Sequence, residues 1–83
     1  MEIQVEKRDG TVESFSIDKL ITSMARCGVP LSVCEVESER IRNWMTSEAK
    51  DNKIKSVQIR DRIIEELIAD YPAEMDSFKV FKK

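Results

Sequence analysis

Residues 5 to 15 read VEKRDGTVESF, two short runs that alternate apolar and polar or charged residues, joined through one Asp-Gly. Period-two alternation sends successive side chains to opposite faces of a strand. Asp9-Gly10 supplies residues that accept positive φ in a tight turn, so Glu2 to Phe15 reads as a β-hairpin. An isolated hairpin is marginal in water and must lie against another layer. The rest of the chain is mostly helical in pattern, which narrows the options to a hairpin packed on helices.

The turn length decides which charges share the hairpin's apolar face. A two-residue Asp-Gly loop would pair Arg8 with Thr11 and Glu6 with Glu13, and would set Phe15 opposite the face bearing Ile3 and Val5. A three-residue loop, Arg8-Asp9-Gly10 with Gly10 in the left-handed position of a bulge, collects Ile3, Val5, Lys7, Thr11, Glu13, Phe15 and Ile17 on one face. That register gathers the large apolar side chains and brings Lys7 and Glu13 with them. Two readings of this pair stand side by side. Their long stems can rest on apolar neighbours at a rim while the charges meet in water. Alternatively Lys7, beside Arg8, faces an anion held between hairpin and helices.

Beyond the hairpin, Ile17, Leu20, Ile21 and Met24 follow helical spacing, with Ser16 or Asp18 as N-cap and Gly28 followed by Pro30 as a stop, giving a first helix over roughly 18 to 27. A second begins at Ser32 and carries Val33, Val36, Ile41, Trp44, Met45 and Ala49, fading at Lys50-Asp51-Asn52. Trp44 and Met45 continue its stripe and read as core, whereas Arg40 and Arg42 read as an ion-paired solvated face. The stretch Lys53 to Lys55 offers a third short strand. Ser56 caps a third helix through Val57, Ile59, Ile63, Ile64, Leu67 and Ile68. Pro72 opens a short fourth helix with Met75, Phe78 and Phe81. The fold class expected is α+β, an N-terminal hairpin with a third strand near 53–55 packed on a four-helix bundle, as one domain over residues 1–83.

Composition sets limits on function. Hydrophobic residues make up 41% and charged residues 36% of 83, within the globular range. No apolar run is long enough to span a membrane and MEIQVEK has no signal-peptide character, so a cytoplasmic location with no membrane association is expected. Cys27 and Cys34 stand with six residues between them and the chain has no His, which suits reduced thiols on helix faces rather than a zinc site. A net charge of −2 argues against direct nucleic-acid binding, which calls for a basic footprint. With no Walker-type loop, no His base and no nucleophile pair, the chain reads as a non-enzyme. Local anion binding remains open: the first helix presents free N–H groups and a positive dipole end, making Ser16 to Lys19 a seat for phosphate.

VEKRDGTVESFSIDKL resembles the opening of the ATP-cone domain: Val5, the Lys7-Arg8-Asp9-Gly10 turn, Glu13, Phe15 and Lys19 match its motif. IKSVQIRDRIIEEL is similar to that family's third helix and MDSFKVFKK to its aromatic end. The resemblance implies a hairpin or three-stranded sheet capping four helices, with ATP or dATP, with or without magnesium, bound between them. Such domains precede ribonucleotide reductases, where the nucleotide switches activity allosterically, and occur in a repressor of reductase genes. Carried over by position, Lys7, Arg8 and Lys19 would meet phosphates, Glu13 the sugar or base, and Val5, Phe15 and Leu20 the adenine. Ser56 and Arg60 would approach the nucleotide from the third helix. Some members hold Asn or Asp at the place of Ser16 and His at the place of Arg60. The expected role is a freestanding nucleotide-binding regulatory module acting on a protein partner or through a homo-oligomer. The alternative is an interaction or nucleic-acid-associated adaptor that keeps the fold without the ligand.

Overall fold

The computed structural model describes residues 3–80. Strands β1 (Gln4–Glu6) and β2 (Val12–Ser14) are followed by helices α1 (Ile17–Arg26) and α2 (Leu31–Glu48). Strand β3 (Lys53–Lys55) leads directly into α3 (Ser56–Leu67), and α4 (Pro72–Val80) closes the series. The architecture is α+β, as expected, and the third strand exists.

The register is that of the three-residue loop. Val5 stands opposite Glu13 and Glu6 opposite Val12. The Lys7 N–H donates to the Thr11 carbonyl (2.8 Å) and the Gly10 N–H to the Lys7 carbonyl (3.0 Å). Gly10 has φ +89°, a backbone state that a Cβ strongly disfavours. Strand β3 pairs parallel with β1, setting Val5 opposite Ile54, so the sheet order is β2-β1-β3. A tight turn feeds β3: Asp51 (φ 53°) and Asn52 (φ 60°) sit between Lys50 and Lys53, which exchange two backbone hydrogen bonds of 3.0 and 2.9 Å. Asx residues accept that conformation more readily than others.

Ser16 is the α1 cap, its Oγ accepting from the Lys19 N–H at 3.3 Å. At the other end Gly28 takes φ +103°, ending the helix and turning Val29 inward, where it is buried. Two helix starts differ from the sequence reading. Helix α2 begins at Leu31, with Pro30 as the flanking residue and its carbonyl accepting from Cys34. Ser56 is the first residue of α3 and does not cap it. Lys55 ends β3 in extended backbone, and its N–H donates to Gln58 Oε1 at 3.0 Å. Because strand and helix abut, the cap position falls on the last strand residue.

The core gathers Met24 of α1, Ile41 and Met45 of α2, Ile63 of α3 and Met75 of α4, all fully buried, with Val5 and Ile54 contributed by the sheet. Each such side chain contributes about 1.5–3 kcal/mol of burial. Trp44 lies at the core's edge, partly buried, with the Arg62 guanidinium 5.5 Å from its ring centroid. Arg42 pairs with Glu39 at 2.7 Å on the exposed face of α2. Both cysteines are free thiols, and burial raises the pKa of each. Glu2, Phe81, Lys82 and Lys83, which entered the sequence reading, fall outside the described residues.

Candidate functional site

The sheet's inner face and the starts of α1 and α3 enclose a cavity of about 580 Å³, a size usual for small-molecule sites. Each wall follows from local structure. Strand alternation turns Val5 and Lys7 of the β1 side and Glu13 and Phe15 of the β2 side toward it, while Arg8 and Asp9 enter from the turn. Helical spacing brings Ser16, Lys19, Leu20 and Ser23 into line along α1, and Ser56, Val57, Ile59, Arg60 and Ile63 along α3. Phe78 of α4 completes the lining.

All ten residues singled out in the sequence, Val5, Lys7, Arg8, Glu13, Phe15, Ser16, Lys19, Leu20, Ser56 and Arg60, therefore border one cavity. The sequence reading missed Asp9, Ser14, Ser23, Val57, Ile59, Ile63 and Phe78 as lining residues. Ser23 was legible as one further turn of the Ser16, Lys19, Leu20 row, and Ile59 and Ile63 were read only as core. For Phe78 the sequence holds no signal, because nothing local to α4 says that its core aromatic also meets the hairpin's cavity.

Charge in the cavity is organised around Glu13. Its Oε2 lies 3.3 Å from Lys7 Nζ and 3.7 Å from Lys19 Nζ. Two ammonium groups, one from the hairpin and one from α1, thus converge on a single carboxylate oxygen. Side-chain exposures of 38% for Lys7, 35% for Glu13 and 61% for Lys19 put the cluster at the cavity's wet edge, where pairing in water is worth little. The lysines can exchange this carboxylate for another anion at small cost. Arg60 borders the cavity while its guanidinium holds the Asp61 carboxylate at 3.0 Å. The Thr11 hydroxyl (2.7 Å) and backbone N–H (3.0 Å) donate to Asp9, holding its carboxyl below the usual aspartate range.

The apolar side of the lining, with Val5, Leu20, Ile59, Ile63 and Phe78 buried and Phe15 partly so, suits a flat, weakly polar group. Among the described residues no group of three or more Cys, Asp or Glu is placed to hold a metal ion. Among the same described residues no helix is long and apolar enough to cross a membrane.

The family model described as the ATP cone domain matches residues 3–83. No curated protein and no solved structure matches the chain.

Proposed function

Since the chain belongs to the ATP-cone family, whose domains are nucleotide-binding regulatory modules, we propose that the cavity beneath the hairpin binds ATP or dATP. The observation that carries this reading is the lining itself. One concave surface combines four cationic side chains, Lys7, Arg8, Lys19 and Arg60, with the apolar surface of Val5, Phe15 and Leu20. A polyphosphate needs the first and a purine ring the second.

In this reading Lys7, Arg8 and Lys19 take the phosphates, aided by the positive end of α1 at Ser16. Glu13, released from the lysines, accepts from a sugar hydroxyl or an exocyclic amine. Val5, Phe15 and Leu20 pack on the adenine, and Ser56 and Arg60 close the site from α3. Magnesium would enter with the nucleotide, held mainly by phosphate oxygens and water. The role is regulatory: occupancy is read by a protein partner or by a second copy of the chain, and the chemistry takes place elsewhere.

Calorimetric titration tests this. ATP or dATP gives saturable heat with the wild-type chain. Replacing Lys7 and Arg8 together by Gln removes it, since each charge-assisted hydrogen bond is worth about 1.5–3 kcal/mol and 1.4 kcal/mol is tenfold in affinity. Absence of heat with both nucleotides rejects the reading.

A further inference from the structure

Away from the cavity, a carboxyl group is buried in the seam between α2 and α3. Glu37 of α2 is 2% exposed, and its Oε2, together with Oε1 of Glu66 on α3, is buried without a hydrogen-bond donor from any other described group. Two acceptor oxygens cannot satisfy each other, and a buried unsatisfied carboxylate is costly. The two carboxyls are within hydrogen-bonding reach of each other, and a proton shared between them supplies the donor that is missing. The remaining charges around the seam fix which one carries it. Arg62 of α3 has its Nε 2.8 Å from Glu66 Oε2 and its guanidinium over the Trp44 ring, so positive charge is concentrated on Glu66. Arg40 of α2 also acts on both glutamates, and Glu65 shares Arg62 at 3.7 Å.

We propose that Glu37 and Glu66 share one proton, Glu37 as the acid and Glu66 as the carboxylate, forming a pH-responsive tie between α2 and α3. Burial first, then the bond and charge of Glu66, push the Glu37 pKa up to about 8. Glu66, accepting from Glu37 and facing Arg62, is held below the ordinary glutamate range. The consequence for stability has a definite sign. In the unfolded chain Glu37 loses its proton near the ordinary value of 4.5, whereas in the fold it keeps it until about 8. Folding therefore takes up a proton over that interval, and the pair's contribution to stability declines as pH rises from about 5 to about 8, then levels off. Glu66 acts oppositely and only in acid: its contribution is lost as pH falls from the ordinary value through its lowered one.

Glu37→Gln supplies a permanent N–H donor to Glu66 and removes the titrating proton. Melting followed by Trp44 fluorescence should give wild-type and E37Q curves that lie closest near pH 5, with the variant increasingly the more stable as pH rises toward 8. Curves that run parallel across that range overturn the proposal. Carboxyl ¹³C titration of the wild-type chain provides a second test that needs no variant to fold. The Glu37 resonance should move near pH 8, and a midpoint between 4 and 5 overturns the proposal.

Discussion

Lys7 lies on the face of Val5 by strand alternation alone, and the three-residue turn is what brings Glu13 and Phe15 onto that face. Were Gly10 deleted or the loop shortened, the second strand would turn Glu13 and Phe15 to the opposite face, away from the ammonium. Lys7 shares the inner face with Val5 and Phe15 yet keeps over a third of its side chain in contact with solvent, so it joins an apolar face at no large desolvation cost. The pair with Glu13 is correspondingly weak. Glu13→Gln is expected to change unfolding free energy by less than about 1 kcal/mol in a urea titration. A loss of several kcal/mol would mean that the carboxylate is structural. The two charges pair at a rim, as the first of the two sequence readings has it, and that rim borders the cavity in which the second reading would place an anion. The other carboxylate pair was not legible in the same way. Glu37 stands four residues after Val33 and four before Ile41, a buried position by helical spacing, but only the packing of α3 reveals its partner.

At the scale of elements, the hairpin turn carries the most specific local demand. Gly10→Ala places a Cβ at φ +89° and should lower stability by about 1–2 kcal/mol, read as a shift in the denaturation midpoint with unchanged slope. An unchanged midpoint would show that the turn has another conformation available. The hairpin, the α1 cap at Ser16 and the stop at Gly28 were all legible because each rests on residues adjacent in sequence. The α3 cap reads as Ser56 in the sequence but falls one residue earlier, on Lys55, for a related reason. Serine is the better cap by preference, but pairing of Lys53–Lys55 with β1 extends the strand to the residue before it. A three-residue strand with one apolar side chain can be suspected from sequence, whereas its parallel pairing with the central strand β1 depends on where α2 returns the chain.

For the whole molecule, the cavity is a product of assembly. Its lining comes from the hairpin at one end of the sequence, from α1 and α3, and from Phe78 of α4, so nucleotide bound there would touch four parts of the fold at once and could alter how they present themselves to a partner. The motif residues of the hairpin and α1 are readable as a candidate site because they are contiguous and chemically unlike a plain core. Ile59, Ile63 and Phe78 were not, because an apolar residue lining a cavity and one filling a core have the same sequence signature. Whether adenine nucleotide occupies this cavity is decided by amide-resolved NMR titration of the ¹⁵N-labelled chain with ATP. Saturable shifts confined to the hairpin from Val5 to Phe15, the first turns of α1 around Ser16 and Lys19, and the start of α3 around Ser56 and Arg60 are predicted. No saturable shifts, or shifts centred on the exposed face of α2, would contradict it.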